Sequence, residues 1–293
     1  MRGIVVGINE TDEAREALDW ALAEATSRGT TLTAVSAGGD DPSQGRTVWA
    51  EQLVGEAKRR VGAACPTSVV AVAGSAREAL LEAAEGSEQL VLGRRRLSKL
   101  GRLVLGSVSA EVVERASVPV TVVRHAGDAA VPAVTAAATS DGTALLPRDV
   151  VASGPRVVVG VDSSLASVLA VRHAAEVARR TGSTLQVVYA WQTSGLAPLP
   201  GTWAGIPSGE DYERHARELL DRAVEAAGID LPAGRLERTV VNAAPAAALV
   251  DASATAGRVV VGSRGLGGFG RLLLGSVSRQ VLDYAACPVT VVR

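Results

Sequence analysis

The chain has 293 residues, enough for two domains of ordinary size, because a single hydrophobic core rarely grows beyond about 250 residues. Only 3% of the residues are aromatic and 21% are charged, and the valine-rich runs favour strands buried on both faces, as in parallel α/β sheets. The net charge of −1 lacks the positive excess that is typical of proteins that bind nucleic acid or anionic membranes.

The N-terminal residues and the cysteines indicate the cellular location of the protein. Residues 1–3 lead directly into the apolar run Ile4–Val6, so we expect no signal peptide, and no apolar run approaches the ~20 residues of a membrane-spanning helix. Cys65 and Cys287 form neither a zinc motif nor a disulfide framework. We therefore expect a cytoplasmic protein without nucleic-acid or membrane partners.

One domain sequence occurs twice in the chain. Ile4–Gly7 recurs as Val157–Gly160 at an offset of 153 residues, and Leu105–Ser109 recurs as Leu274–Ser278 at an offset of 169. The second copy therefore carries 16 extra residues, which fit best in the Gly/Pro/Ser-rich stretch Thr193–Gly209. Internal duplication of this kind indicates two similar structural units.

We predict a first domain over residues 1–124, a linker over residues 125–155 and a second domain over residues 156–293. The linker is rich in Ala, Thr, Pro and Gly and has no sustained hydrophobic periodicity. Each domain alternates short apolar runs with helical patterns, which is typical of βαβ units. The predicted fold class is α/β, with two tandem open parallel five-stranded sheets flanked by helices.

The predicted elements begin with a strand and a helix in each copy. The first helix starts after Asn9 with Thr11 as its cap and ends at Gly29, and its counterpart starts near Ser163–Ser164 and ends at Gly182. Parallel sheets bind ligands beyond the carboxyl ends of their strands, so the loops after the first and fourth strands form the candidate site. The later strands are predicted at Leu32–Ala37, Ser68–Ala73, Leu90–Gly93 and Val118–Val123, and at Leu185–Ala190, Thr239–Asn242, Val259–Gly262 and Val289–Val292.

The loop after the fourth strand of the second copy is rich in glycine. It includes Gly262, Gly265 and Gly275, and a helical pattern begins at Ser276. Glycine lets a backbone approach a ligand closely, and a helix N-terminus offers unpaired N–H groups and partial positive charge to phosphates. Ser276 and Ser278 add hydroxyl donors. The alternative is a flexible turn with Ser276 as a simple helix cap.

The spacing G-x2-G-x9-G-S over Gly262–Ser276 combines with two further segments. The first strand ends in Val159–Asp162, and Cys287–Val289 follows the last helix. This pattern resembles the universal stress protein family, specifically its ATP-binding branch, and the resemblance covers both copies, as in tandem-domain members. The resemblance implies an adenine-nucleotide α-hydrolase-like fold and bound ATP, with Mg²⁺ as the default divalent ion and no metal ligand assigned.

The resemblance also implies a set of ATP-binding residues in the second copy. The glycine loop would surround the triphosphate and ribose, Asp162 would lie by the adenosine, and the backbone of Ala190 would meet the adenine edge. From the residues alone, Asp162 suits a ribose hydroxyl or a phosphate-bound metal, or else caps the following helix. The complete set is Gly160, Val161, Asp162, Ala190, Val261, Gly262, Gly265, Gly275, Ser276, Val277 and Ser278.

The first copy departs from this pattern at two positions. Arg96 stands opposite Gly265, and Asn9 stands opposite Asp162. An arginine side chain would enter the space of a phosphate, and a positive φ at this position would also strain it. We therefore expect ATP mainly in the second copy. The basic loop is either an electrostatic phosphate site or a solvated surface, and its basic residues are Arg94, Arg95, Arg96, Lys99 and Arg102.

No nucleophile motif, paired-carboxylate motif or metal-ligand cluster indicates catalysis. We predict a non-enzymatic, ATP-binding regulator of the stress response. The alternatives are an interaction scaffold with structural or no nucleotide, and a weak ATPase. The resemblance further implies that the closing strands Val118–Val123 and Val289–Val292 pair, so that the two domains form a pseudo-dimer. The protein partner and the association of two chains into a homodimer are left open.

Overall fold

The computed structural model describes residues 2–38, 44–94, 105–124, 156–192, 208–265 and 274–293. The predicted linker, residues 125–155, lies outside these ranges. Within them, the elements follow the chain as β1 (Arg2–Gly7), α1 (Asp12–Arg28), β2 (Leu32–Ala37), α2 (Gln44–Val61), β3 (Thr67–Val72), α3 (Ala76–Ala84), β4 (Ser87–Gly93), α4 (Ser107–Arg115), β5 (Val120–Val123), β6 (Arg156–Val161), α5 (Leu165–Thr181), β7 (Leu185–Trp191), α6 (Gly209–Ala227), β8 (Leu236–Asn242), α7 (Pro245–Ser253), β9 (Ala256–Gly262), α8 (Ser276–Tyr284) and β10 (Val289–Val292).

The chain divides into two compact units. Unit one comprises Met1–Ala129 with Pro288–Arg293, and unit two comprises Ala130–Cys287. The strand order is β3-β2-β1-β4-β5-β10 in unit one and β9-β6-β7-β8 in unit two. All neighbouring strands within each unit are parallel, except for the antiparallel pair of β5 and β10. The predicted α/β class, with an open, mostly parallel sheet flanked by helices, is confirmed.

The pairing of β5 with β10 joins the closing strands of the two sequence copies. In this pair Thr121 stands opposite Thr290, and the predicted pairing of the closing strands is confirmed. The hydroxyl oxygens of the two threonines lie 2.7 Å apart, and both residues are fully buried. A polar contact therefore lies at the centre of an otherwise valine-built strand pair.

The first helix of each copy begins and ends as predicted. The side chain of Thr11 accepts a hydrogen bond from the backbone at the start of α1, and Ser164 does the same for α5. Gly29 and Gly182 end these helices with φ of 62° and 70°, a left-handed conformation that side chains disfavour. The two repeats thus use the same local signals.

The strand β4 is longer than the apolar pattern predicts. The prediction began at Leu90, whereas the strand begins at Ser87 and includes Gln89, which is fully buried. Arg28 donates a hydrogen bond to Gln89 Oε1, and Gln89 Nε2 donates to Thr121 Oγ1 at 2.5 Å. Internal hydrogen bonds make the burial of this amide tolerable, and the apolar pattern alone does not reveal them.

The sheet order positions the candidate site in unit two. The strand β6 lies between β9 and β7, and all three run parallel, so their carboxyl ends meet at one edge. The loops after β6 and β9 leave this edge where the strand order reverses, which is the usual place for a ligand in an open α/β sheet. Among the helices in the described ranges, none has the length and apolar character needed to cross a bilayer.

Candidate functional site

A cavity of about 450 Å³ opens at the carboxyl ends of β6, β7 and β9 in unit two. Its volume lies within the range of about 300–1,000 Å³ that is usual for small-molecule sites. Every residue that the sequence predicted for the site lines this cavity: Gly160, Val161, Asp162, Ala190, Val261, Gly262, Gly265, Gly275, Ser276, Val277 and Ser278. The structure therefore brings the whole predicted set together, while residues 266–273 of the glycine loop lie outside the described ranges.

The N-terminus of α8 faces this cavity without a side-chain cap. Gly275 is the N-cap residue, and the three residues that follow it all line the cavity. The first N–H groups of a helix have no acceptor within the helix, so these three can point at an anion. The N–H of Gly275 itself donates to Ser263 O at 2.8 Å, which fixes the loop against the start of the helix.

The two serines of the motif have different surroundings. Ser278 is buried, and its hydroxyl donates to Gly262 O at 2.6 Å. This hydrogen bond therefore holds the end of β9 against α8. Ser276 is exposed, and its hydroxyl makes no hydrogen bond within the described residues. The sequence predicted two hydroxyl donors at the site. The Ser278 hydroxyl already donates within the protein, whereas the Ser276 hydroxyl can donate to a ligand.

Asp162 connects the loop after β6 to the glycine loop. Its Oδ1 accepts from the backbone N–H of Ser164 at 3.1 Å, forming the turn that leads into α5. A Cβ atom placed on Gly265 would lie 2.0 Å from Asp162 Oδ2. Gly265 does not have a positive φ, so the conformational reason considered for a glycine there does not apply. A side chain at this position would instead have to displace the carboxylate of Asp162.

The corresponding turn in unit one is made by an amide. Asn9 Oδ1 accepts from the N–H of Thr11 at 3.0 Å and from its hydroxyl at 2.7 Å. The turn therefore does not require the charge of Asp162. Arg94 is only 2% exposed, so the alternative that the basic loop is a solvated surface is wrong at this residue. The other basic residues of that loop, Arg95, Arg96, Lys99 and Arg102, lie outside the described ranges.

Several cavity-lining residues were not predicted. They are Ser167, Val188, Tyr189, Pro245, Leu249, Arg264 and Leu274. The register gives a signal for one of them, since Tyr189 stands beside Val161 in the pairing of β6 with β7. Leu249, a second residue of this set, lies close to the predicted residue Gly160. A Cβ on Gly160 would lie 2.6 Å from Leu249 Cδ1. Pro245 and Leu249 belong to α7, in which we predicted no site residue.

Tyr189 lies beside the acidic group of the cavity. Burial raises the pKa of the Tyr189 phenol, and the negative charge of Asp162 raises it further. The phenol therefore keeps its proton well above neutral pH. Within the described residues, no group of three or more His, Cys, Asp or Glu side chains is arranged to hold a metal ion.

The chain is similar to known proteins along most of its length. The model of the universal stress protein family matches residues 1–124 and 155–293. The chain is similar to universal stress protein Rv2005c of Mycobacterium tuberculosis strain H37Rv, with 34% identity over 312 residues that cover 99% of this chain and 97% of the relative. A universal stress protein of Mycolicibacterium smegmatis is 35% identical over 220 residues, which cover 75% of this chain and 66% of the relative.

A solved structure has a similar fold over nearly the whole chain. The crystal structure of a universal stress protein from Archaeoglobus fulgidus superposes with a TM-score of 0.68 at 20% identity, covering 99% of this chain and 98% of that one. At this identity the likeness shows the fold alone. Together with the family match over nearly the whole chain, it leads to one conclusion: the chain belongs to the universal stress protein family.

Proposed function

We propose that the cavity of unit two binds ATP and that the protein is a nucleotide-dependent regulator of the stress response. The observation that supports this proposal most is the convergence of the predicted residues on one cavity beneath an uncapped helix N-terminus. A helix N-terminus without a side-chain cap is a common binding site for a phosphate group. The glycines beside it keep the approach of the backbone open.

The order of the strands predicts how the nucleotide is oriented in the cavity. The phosphates would lie at the N–H groups of α8 and at Ser276, next to the end of β9. Arg264, an exposed cation of the same loop, lines this side of the cavity. Because β6 separates β9 from β7, the nucleoside would extend past Asp162 toward Ala190 on β7. This direction agrees with the roles that the family resemblance implies.

The chemistry of the lining residues fits ATP. Gly265 has no side chain in the space between the loop and Asp162, so the carboxylate can lie against the loop. Among the described residues that line the cavity, Asp162 is the one with an acidic side chain. If Mg²⁺ accompanies the nucleotide, Asp162 would be its carboxylate neighbour, and the ion would neutralise charge on the phosphates.

We propose that residues 1–124 and 156–293 are two stress-protein domains, joined by residues 125–155, and that the second domain holds most of the ATP. Asn9 and Arg96 replace the carboxylate and the glycine in the first domain. Bound ATP would act by stabilising one conformation that a cytoplasmic protein partner recognises.

The nucleotide content of the purified protein tests this proposal. Heating freshly purified protein should release ATP, identified by chromatography, and the amount should fall in the Asp162→Asn variant. Absence of any nucleotide, together with no binding of added ATP, would favour a scaffold instead. Steady turnover of ATP that disappears with Gly265→Arg would favour a weak ATPase.

A further inference from the structure

Tyr189 is placed at the cavity by the pairing of β7 with β6. It stands in register with Val161, the residue immediately before Asp162. Tyr189, Val161 and Asp162 all line the cavity, and the charge of Asp162 acts on the phenol of Tyr189. Unit one has Ser36 at the corresponding position, so the tyrosine accompanies the carboxylate in the copy where the glycine motif is intact.

The phenol has no hydrogen-bond partner among the residues that the structure describes. Tyr189 is partly buried in a cavity lined by apolar groups such as Val188 and Leu249. A tyrosine hydroxyl usually has a hydrogen-bond partner when it is buried, so a ligand that covers this part of the cavity should offer the phenol an acceptor. The proton of this hydroxyl stays in place at physiological pH, so the group can donate.

Two other hydroxyl groups around the cavity already donate within the protein. Ser167 Oγ donates to Ser164 O at 2.8 Å, and Ser278 Oγ donates to Gly262 O at 2.6 Å. Ser276 lies at the start of α8, on the side assigned to phosphates. Tyr189 is thus the hydroxyl donor on the β7 side of the described cavity.

We propose that Tyr189 is a ligand-binding residue that donates its hydroxyl proton to an acceptor on the nucleoside part of ATP, next to the Asp162 carboxylate. The inference rests on the proposed function, because it takes the phosphates to lie at α8. A phenol donor beside a carboxylate acceptor suits a nucleoside, whose base and sugar both offer donors and acceptors. It does not suit a bare polyphosphate, which would meet the negative charge of Asp162.

The test compares ATP with inorganic tripolyphosphate by isothermal titration calorimetry. Tyr189→Phe should weaken ATP binding about tenfold and leave the affinity for tripolyphosphate unchanged, because only the hydroxyl is removed. Tyr189→Ser, which copies the first repeat, should weaken ATP binding at least as much. Tyr284→Phe, on the exposed end of α8, is the matched control and should bind ATP as the wild type does.

A second nucleotide identifies the acceptor. If Tyr189 bonds the 2′-hydroxyl oxygen, wild type and Tyr189→Phe should bind 2′-deoxy-ATP equally; if it bonds another nucleoside atom, the tenfold difference should persist. Equal ATP affinity of the folded Tyr189→Phe variant and the wild type would overturn the inference alone. A wild-type protein that binds no ATP would overturn the proposed function and this inference with it. Equal weakening of ATP and tripolyphosphate would also overturn it.

Discussion

Asp162 Oδ2 lies where a side chain of residue 265 would begin, only 2.0 Å from the position of a Cβ on Gly265. The two loops that frame the cavity are therefore in close contact: a side chain at residue 265 would displace the carboxylate of Asp162 from its present position. The first repeat has neither residue of this contact, with Asn9 and Arg96 at the corresponding positions.

Substitution of Gly265 tests the contact directly. Gly265→Ala should push the carboxylate of Asp162 away from the loop and weaken ATP binding tenfold or more, and Gly265→Arg, which copies the first repeat, should abolish binding measurable by calorimetry. Far-UV circular dichroism should be unchanged, because the displaced atom is the end of a side chain. Gly55→Ala is the control, since a Cβ there meets nothing closer than 3.7 Å and alanine favours the helix α2. Unchanged ATP affinity of Gly265→Arg would contradict the account.

Removal of the charge at Asp162 separates its two roles. Asp162→Asn should keep the turn into α5, because Asn9 makes the same hydrogen bond with Thr11 in unit one. The thermal midpoint should therefore stay within a few degrees, while ATP affinity falls about tenfold because a charge-assisted hydrogen bond is lost. Asn9→Asp in the first repeat is the reciprocal control and should add no second ATP. A variant that loses stability and keeps its affinity would assign Asp162 to folding alone.

The fold was predictable where its signals are local. Thr11 and Gly29 mark the two ends of α1, and Ser164 and Gly182 mark those of α5, because caps and left-handed glycines act within a single turn of helix. The duplication then extended each observation from one copy to the other. The family resemblance that rests on the glycine spacing likewise implied a set of residues that are remote in sequence and line one cavity.

The remaining features depend on partners far along the chain. Gln89 looks too polar for a buried strand, and only its contacts with Arg28 and Thr121 explain its burial. Tyr189 looks like an ordinary strand residue until the register places it beside Val161. Ser278 looks like a phosphate ligand, whereas its proton goes to the carbonyl of Gly262. Sequence spacing does not encode these choices of partner.

The buried threonine pair predicts an order of stabilities. Thr290→Val removes one buried hydrogen bond with Thr121 and should lower the free energy of unfolding by about 1–2 kcal/mol. Thr121→Val should cost more, because it also leaves the donor Gln89 Nε2 without its acceptor. Thr33→Val, whose hydrogen bond with Ser68 is exposed, should cost less than about 0.5 kcal/mol. Urea denaturation measures all three, and a reversed order for the two buried threonines would contradict this role of Gln89.

The raised pKa of Tyr189 predicts a loss of stability in alkaline solution. In the unfolded chain the phenol ionises near its ordinary value of 10.0, whereas burial and Asp162 keep it protonated in the fold. Above that pH the unfolded state binds fewer protons, so the free energy of unfolding falls as pH rises. Denaturation between about pH 8 and about pH 11 should show a smaller decline for Tyr189→Phe than for the wild type. Identical pH profiles would show that the phenol is not perturbed.

The number of ATP molecules bound per chain tests the central claim most directly. Equilibrium dialysis of wild-type protein against labelled ATP should reach one ATP per chain at saturation, and Gly265→Arg should reduce this number to zero. Such a result would place the nucleotide in the cavity framed by Asp162 and Gly265. Two ATP molecules per chain, or a single ATP that survives Gly265→Arg, would contradict the assignment of the site to unit two.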